Sequence, residues 1–265
     1  MKRDVSTRIT VSVTEPANLV FSIAVAAAYR PAAERLEVTL DGAAVEVVEL
    51  LDLHGTRLHQ VEVGPGTCTL TYAAAIEGRT APAGAAPAEL ISYLRPSRYA
   101  ESDELAPTAT AEFGGIEAPA DLLAAVSSWV GTRLAYVSGS SGPTDGAART
   151  LLARQGVCRD FAHLCVALLR SMNVPARLAA VYAPGLEPMD FHAVAEAWVE
   201  GAWRVVDATT LAPRSSMVRI ATGRDAADTA FLTVTAGRAE LVDMEVMAIV
   251  DTLPADDVTE LASIG

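Results

Sequence analysis

Three side chains that can carry out covalent chemistry together lie within one stretch of this sequence, residues 154–207. Cys158, His192 and Asp207 occur there in that order. A thiolate can attack a carbonyl carbon, an imidazole can accept and return the proton, and a carboxylate can hold the imidazole in one orientation. These residue types therefore predict thiol-dependent acyl transfer, provided that the fold brings them together.

The residues after Gly156 predict a helix that carries Cys158 in its first turn. Apolar side chains recur with steps of 3, 4, 3 and 4 residues, as on one face of a helix: Cys158, Phe161, Cys165, Leu168 and Met172. Asn173 suits a left-handed cap, and Pro175 ends the helix. In the first turn, backbone N–H groups lack helical partners and the helix dipole favours an anion, so this position stabilises a thiolate.

Two strands are predicted to bring His192 and Asp207 together. Residues 191–199 form a strand, Glu200-Gly201 forms a two-residue turn, and residues 202–208 return beside the first strand. If Val199 pairs with Ala202, the register sets these residues opposite each other: Trp198 and Trp203, Val194 and Asp207, His192 and Thr209. His192 and Asp207 are then diagonal neighbours on one face, whereas a slip of one residue would separate them.

Other reactive side chains near Cys158 have a weaker case for chemistry. Cys165 lies two turns further along the same apolar face, where packing is expected to keep it inert. His163 lies about 140° around the helix from Cys158 and points elsewhere. Gln155 is either the end of the preceding helix or a donor to a substrate oxyanion, for which the Cys158 backbone N–H is the safer candidate. Tyr136 lies nearer the expected groove, without an assigned role.

Four motifs of this stretch resemble the transglutaminase-like core of bacterial proteins of the cysteine-protease type. They are Gly156-Val157-Cys158-x-Asp160-Phe161-Ala162-His163, Leu169-Arg170-x-x-x-Val174-Pro175-Ala176-Arg177, Asp190-x-His192-Ala193 with Glu196, and Trp203 with Asp207-Ala208-Thr209. The resemblance covers roughly residues 90 to 235, in matching order and spacing. It implies a papain-like α+β core in which Cys158, His192 and Asp207 form a catalytic triad.

The sequence departs from this family pattern at two places. The family often has Trp two residues after the histidine, where this chain has Val194. It often has Asp-Pro-Thr where this chain has Asp207-Ala208-Thr209. The first departure bears on the substrate groove, and neither removes a member of the implied triad.

The chain is predicted to divide into two domains within an α+β fold. The hairpin signal Asp41-Gly42 and the turn Gly64-Pro65-Gly66, set between alternating strands, indicate a β-sandwich over residues 1–78. This part resembles the β-rich region that often precedes the bacterial transglutaminase-like core. Residues 79–90, rich in Ala, Pro and Gly, are expected to form a linker, and residues 91–265 the transglutaminase-like catalytic domain. Late strands of that domain are predicted at residues 217–220, 231–235 and 239–252.

Composition and charge indicate the compartment in which the protein is expected and the classes of partner that it is not expected to bind. The 265 residues hold three cysteines, Cys68, Cys158 and Cys165, an odd number that builds no disulfide framework. No run of about 18 apolar residues predicts a membrane span, and the N-terminus leads into a strand and not a signal sequence, so we expect a cytoplasmic protein. A net charge of −13 argues against nucleic acid and anionic membranes. No spacing of Cys and His indicates a metal site, and we expect no cofactor.

We favour an enzyme that hydrolyses a peptide or isopeptide amide through a thioester on Cys158. The first alternative is a transglutaminase or amide-forming acyltransferase, which passes the thioester to an amine; groove shape and water exclusion decide between the two. The contrasting class is a non-catalytic binding module that retains the fold, and the full set of Cys158, His192 and Asp207 counts against it. The expected partner is a peptide or protein amide substrate, and the oligomeric state is left open.

Overall fold

A computed structural model describes all 265 residues of the chain, which form thirteen strands and five α-helices. The strands are β1 (Lys2–Phe21), β2 (Ala33–Leu40), β3 (Ala43–Ala44), β4 (Val48–Leu51), β5 (Arg57–Val63), β6 (Gly66–Glu77), β7 (Ala135–Tyr136), β8 (Gln155–Gly156), β9 (Ala176–Tyr182), β10 (Phe191–Val199), β11 (Ala202–Val206), β12 (Val218–Gly223) and β13 (Leu232–Val250). The helices are α1 (Pro87–Ser92), α2 (Ser102–Phe113), α3 (Pro119–Arg133), α4 (Ala147–Ala153) and α5 (Cys158–Ser171). The predicted α+β class is confirmed.

Seven of the strands form one curled antiparallel sheet in place of the predicted β-sandwich. Its order is β3-β2-β6-β1-β5-β4, and β13 also pairs with β1. The 20-residue strand β1 pairs with β6 along its first part and with β5 along its last part. Register shifts between Thr10 and Val11, and again between Val13 and Leu19, mark irregularities that bend β1. Because the bent strand β1 pairs with β6 in its first part and with β5 in its last part, it joins both ends of one sheet. The sheet therefore curls instead of splitting into two layers.

Strand β13, predicted from the sequence as two separate strands of the second domain, belongs to this curled sheet. It pairs antiparallel with β1 along nearly the whole of both strands. The sequence did not indicate this pairing, because alternation identifies a strand but not a partner at the other end of the chain. β13 stays continuous at Gly237, where φ is +77° and an added Cβ would lie 2.0 Å from the Pro16 oxygen. The division of the chain into two domains stays a prediction.

The second sheet and helix α5 have the arrangement predicted for the reactive residues. The sheet has the order β11-β10-β9-β12 and is antiparallel throughout. Trp198 lies opposite Trp203 and Val199 opposite Ala202, as predicted, and the pairing continues to Ala195 opposite Val206. Strand β11 ends at Val206, two residues earlier than predicted, so the expected pairs Val194–Asp207 and His192–Thr209 lie beyond the paired residues. Helix α5 begins at Cys158 as its apolar spacing indicates, and it packs on β9 and β10. A helix that carries the cysteine therefore lies on an antiparallel sheet, as predicted.

The second sheet contributes to three apolar cores, two of which join it to the rest of the fold. Ala195, Ala197 and Val199 share a core with α2, α3 and α5. Tyr182 and Ile220 instead belong to the core of the curled sheet. Close packing in both cores leaves the second sheet little freedom to shift. The strands that carry the reactive residues are therefore fixed both by α5 and by the curled sheet.

Helices α3 and α4 precede α5 in the chain and both pack against it. Helix α4 ends at Ala153, so Gln155 is not the end of that helix: Arg154 adopts a left-handed conformation with φ of 54°, and Gln155 and Gly156 pair with β7. Helix α1 begins at Pro87, within the predicted linker. None of the helices combines the length and the apolar character that a bilayer-spanning helix needs.

Candidate active site

Cys158 is the first residue of helix α5 and is half-buried there. The Asp160 carboxylate accepts hydrogen bonds from the Val157 backbone N–H (2.8 Å) and from the Ser141 hydroxyl (2.9 Å), and so it caps the helix. Gly156 suits this turn because a Cβ there would lie 2.6 Å from the Cβ of Asp160. The first turn is therefore firmly held, with the Cys158 thiol near backbone N–H groups that have no helical partner.

The His192 ring and the Asp207 carboxylate meet as the strand register predicts. Nε2 of His192 donates a hydrogen bond to Oδ2 of Asp207 over 2.9 Å. Oδ1 of Asp207 accepts hydrogen bonds from the backbone N–H (3.0 Å) and the hydroxyl (2.6 Å) of Thr209. Because a carboxylate only accepts, Nε2 carries a proton. The carboxylate is thus held at both oxygens, and it fixes the imidazole in turn.

Burial and charge shift the pKa values of His192 and Asp207 in opposite directions. Burial alone lowers the pKa of His192, but the charge of Asp207, their hydrogen bond and the nearby Cys158 thiol together raise it above its ordinary value. Burial alone raises the pKa of Asp207, yet His192 and the hydrogen bonds from Thr209 hold it below its usual range. The site therefore favours a protonated imidazole beside an ionised carboxylate at neutral pH.

Cys158 and His192 line one cavity of about 460 Å³, and Asp207 contacts the imidazole without lining that cavity. Nδ1 of His192 has no hydrogen-bond partner. The nitrogen that is not engaged by Asp207 is therefore free to exchange a proton. A larger cavity of about 810 Å³, lined by His54 and Glu89 among others, contains none of the three predicted residues. Choosing the site by cavity volume alone would therefore have selected a cavity that Cys158 does not line.

The structure places the other candidates near Cys158 outside the His192–Asp207 pair. Cys165 is fully buried in α5, and burial raises the pKa of its thiol well above the ordinary value. His163 is buried, and its Nε2 accepts a hydrogen bond from the Ala226 backbone N–H (3.1 Å), so it holds the loop that borders the cavity. Gln155 is exposed in β8, and its role as an oxyanion donor stays a prediction.

Tyr136 is the residue near Cys158 whose role the sequence did not indicate. It lies in β7 opposite Gly156, in the two-residue parallel pairing that leads into α5. Burial raises the pKa of Tyr136, the Cys158 thiol raises it further, and the Cys158 backbone N–H opposes the rise, so the phenol lies beside both groups. A two-residue strand is too short to show alternation, which is why the sequence left this residue unplaced.

Glu196, on the same strand as His192, lies at the centre of a buried ion-pair network. Its Oε2 accepts hydrogen bonds from Nε of Arg177 (2.8 Å) and Nη1 of Arg219 (2.7 Å), and its Oε1 accepts from Nη2 of Arg219 (2.6 Å). The Arg177 guanidinium also lies 3.8 Å from the centre of the Trp203 ring. The network joins β9, β10 and β12, and so it stabilises the strand that presents His192.

Acid is expected to remove the contribution of Glu196 to stability. Burial alone raises the pKa of Glu196, but Arg219 and Arg177 lower it to about 2 from an ordinary value of 4.5. A carboxylate whose folded-state pKa is lowered stabilises the fold fully above its unfolded pKa, and loses that contribution as the pH falls through the folded pKa. The Glu196→Gln variant should therefore be less stable than the wild type by on the order of 3 kcal/mol at pH 7. That difference should shrink below about pH 4.5.

Urea unfolding at several pH values from 7 to 3 measures this difference. Glu245→Gln, a change at an exposed glutamate on β13, is the control and should follow the wild type closely. A gap between wild type and Glu196→Gln that stays constant down to pH 3 would contradict the assignment of the network.

Replacing Cys165 by Ala is expected to leave the reactivity of Cys158 unchanged and to lower stability by about 1 kcal/mol or more. The reason is that Cys165 is fully enclosed by the core of α2, α3 and α5, where a smaller side chain leaves a cavity. Urea unfolding and the rate of iodoacetamide labelling at Cys158 measure the two effects. Cys68→Ala, a buried cysteine in the curled sheet, is the matched control. Slower labelling of Cys158 with stability unchanged would contradict a packing role.

Comparison with known proteins identifies the class to which this fold and site belong. The sequence profile of the transglutaminase-like superfamily matches residues 107–208, a range that contains Cys158, His192 and Asp207. The solved structure of a candidate cysteine protease from Cytophaga hutchinsonii is 33% identical, covers 100% of this chain and 93% of that chain, and gives a TM-score of 0.86. The chain therefore belongs to the transglutaminase-like superfamily, as its four motifs predicted.

Two further similarities are more limited. An uncharacterized protein of Mycobacterium leprae is 29% identical over 123 residues, which are 42% of this chain and 43% of that protein, so the match spans less than half of the relative. The periplasmic domain of TgpA from Pseudomonas aeruginosa is 18% identical over 78% of this chain and 90% of that chain, with a TM-score of 0.43. The assignment of the site rests on neither.

Proposed function

We propose that the protein hydrolyses an amide, in a peptide or isopeptide bond, with Cys158 as nucleophile, His192 as acid and base, and Asp207 as the orienting carboxylate. The observation that carries the proposal is the 2.9 Å hydrogen bond from His192 Nε2 to Asp207, which leaves Nδ1 without a partner on a ring that lies beside the Cys158 thiol. The superfamily and the similarity along the whole chain to a candidate cysteine protease support it.

The first half-reaction forms a thioester and releases an amine. Nδ1 of His192 takes the Cys158 proton, which gives a thiolate beside the protonated imidazole that the raised pKa of His192 favours, and the thiolate sulfur attacks the amide carbonyl carbon. The carbonyl oxygen takes up negative charge, for which the proposed donor is the Cys158 backbone N–H, with the Tyr136 phenol beside it. The C–N bond then breaks, the leaving amine takes the proton from His192, and the acyl group stays on sulfur.

The second half-reaction releases the acyl group. His192 takes a proton from water, the resulting hydroxide attacks the thioester carbon, and the C–S bond breaks to give a carboxylic acid and the Cys158 thiolate, which recovers the proton. If a primary amine replaces water, the same steps form a new amide. A transglutaminase or amide-forming acyltransferase is therefore the alternative enzyme, and a non-catalytic binding module is the alternative outside enzymes.

A product-resolved screen of peptide and isopeptide amides tests the proposal. The protein is incubated with the library, with and without a primary amine, and the products are identified by mass spectrometry. We expect acids and free amines as products, and none from a Cys158→Ala variant. Amine adducts formed in preference to acids would support the acyltransferase, and a complete lack of Cys158-dependent products would support the binding module.

Turnover is expected to be unchanged by chelation of metal ions. In the proposed chemistry the thiolate forms by proton transfer to His192, a step that calls on no metal. The structure contains no group of three or more His, Cys, Asp or Glu side chains arranged to hold a metal. The measurement compares turnover before and after dialysis against EDTA, and again after adding calcium. Activity that EDTA removes and calcium restores would contradict this prediction.

The cellular setting proposed for this reaction follows from the sequence. The net charge of −13 argues against nucleic acid and anionic membranes as partners, and the cytoplasm is the compartment that we propose. The proposed partner is the amide-containing peptide or protein itself. Fractionation of cells and detection of the protein in each fraction tests the compartment.

A further inference from the structure

The cavity that Cys158 lines has walls from both sheets. Leu178 and Ile220 contribute to it from the second sheet. Leu232 and Met244 contribute from β13, which is a strand of the curled sheet. Strand β13 therefore forms part of the cavity wall, whereas α5 and β10 supply Cys158 and His192. Because the curled sheet lines this cavity, it is a candidate for selecting which substrate side chain binds there.

The wall of this cavity is apolar and already packed. Phe191 lies between Tyr182 and Phe231, with 5.6 Å between ring centres in each pair. The Tyr182 hydroxyl is hydrogen-bonded to the Thr7 hydroxyl (2.7 Å) and to the Ile23 carbonyl (2.9 Å), which anchors the stack. Because these rings are held before any ligand arrives, an apolar group that enters orders few protein side chains.

The charged side chains of the lining are few, and each makes a hydrogen bond within the protein, although Nε of Arg159 has no partner. Apart from His192, they are Arg159 and Asp190. Nη2 of Arg159 donates to the Ser141 hydroxyl (2.6 Å), and Asp190 accepts from the Phe191 backbone N–H (2.7 Å). The wall formed by Leu178, Ile220, Leu232 and Met244 offers no opposite charge, and an unpaired charge is costly to bury against it. The cavity therefore disfavours an ionic side chain, and its volume of about 460 Å³ suits a bulky group.

Met244 and Met247 occupy contrasting positions on the same strand. Met244 lines the cavity and packs against the core of the curled sheet. Met247 is 38% exposed and does not line the cavity. A thioether side chain is flexible and adapts to the shape of its neighbour. Met244 is thus placed to shape the cavity, and Met247 offers a matched control of the same type.

We propose that this cavity is the subsite for a large apolar side chain, aromatic or long aliphatic, next to the scissile amide of the substrate. Met244, supplied by the curled sheet, is a specificity-determining residue of this subsite. The inference rests on the proposed function, since it concerns the substrate of the same Cys158. It adds the class of side chain that the substrate carries and assigns the curled sheet a part in selecting it.

Labelling of Cys158 by aminoacyl chloromethyl ketones tests the subsite without a known substrate. The Cys158 sulfur displaces chloride, so one C–S bond forms and chloride leaves. Four probes carry the side chain of phenylalanine, leucine, alanine or aspartate, and iodoacetamide, which has no side chain, reports intrinsic thiol reactivity. We expect the phenylalanine and leucine probes to label Cys158 about 10-fold faster than the alanine probe, and the aspartate probe to be the slowest.

Two methionine variants test the role of the curled sheet. Met244→Glu should reduce the advantage of the phenylalanine probe over the alanine probe by about 10-fold, with each probe rate divided by the iodoacetamide rate of the same variant. Met247→Glu should change neither this advantage nor the iodoacetamide rate. Thermal unfolding checks that both variants are folded. If Met244→Glu is unstable, Met244→Ala replaces it, and the wider cavity should favour a naphthylalanine probe over the leucine probe.

The outcomes separate the subsite from the chemistry of the thiol. Equal rates with all four probes, or equal effects of the Met244 and Met247 variants, would overturn the subsite and leave the proposed function standing. A Cys158 that iodoacetamide does not label ahead of the other cysteines would overturn the proposed function, and the subsite with it.

Discussion

The Cys158→Ala variant is expected to lose turnover completely and to unfold at nearly the same urea concentration as the wild type. Removing the nucleophile of a triad lowers kcat on the order of 10⁶-fold in a well-studied protease, so only background hydrolysis should remain. Stability should change little because Cys158 is half-buried at the start of α5, where the helix is capped by Asp160 and not by the thiol. Turnover of a substrate from the amide screen and urea unfolding measure the two effects.

Brief alkylation provides an independent check on the same assignment. Iodoacetamide should label Cys158 before the other two cysteines, because Cys68 and Cys165 are fully buried. Burial raises the pKa of Cys68 to about 11 and that of Cys165 further above its ordinary value, so both thiols stay protonated near neutral pH. Peptide mapping after labelling identifies the site. Label found mainly on Cys165, or full activity in Cys158→Ala, would show that the nucleophile has been assigned wrongly.

The elements around the site could be predicted because local signals define them. The apolar spacing of α5 and the Glu200-Gly201 turn fix which residues face which, and the pairing of Trp198 with Trp203 follows from that turn. The curled sheet could not be predicted in the same way. Its curl depends on register shifts within β1, and its closure depends on β13 pairing with β1 from the other end of the chain. Pairing between distant strands leaves no local periodicity in a sequence.

The site likewise contains residues that local sequence signals place and residues that only distant strand pairing places. The meeting of His192 and Asp207 follows from one turn and one register, so the sequence was sufficient to predict it. Tyr136 reaches Cys158 through a strand of two residues, and Met244 reaches the cavity through a strand that pairs across the whole chain. The residues proposed for the chemistry were thus predictable, whereas the residues proposed to surround the substrate required the tertiary structure.

The Asp207→Asn variant is expected to fold normally and to lose about 10⁴-fold in kcat, the loss seen when the carboxylate of a well-studied serine-protease triad becomes an amide. In the wild type, Oδ1 of Asp207 accepts two hydrogen bonds from Thr209, and Oδ2 accepts from Nε2 of His192. An asparagine keeps its carbonyl oxygen toward Thr209, so its NH₂ group faces Nε2. Nε2 must then accept a hydrogen bond, and the ring proton moves to Nδ1.

That tautomer leaves His192 unable to take a proton from the Cys158 thiol at Nδ1, which is the basis of the expected loss. The variant also removes the charge that raises the pKa of His192, so burial should make the imidazole neutral. The control is Asp190→Asn, which removes a carboxylate whose charge acts on His192 but which is not hydrogen-bonded to it. Its effect on kcat should stay within about 10-fold. Nitrogen-15 chemical shifts of the His192 ring report the tautomer directly, and near-normal turnover with an unchanged tautomer in Asp207→Asn would remove Asp207 from the mechanism.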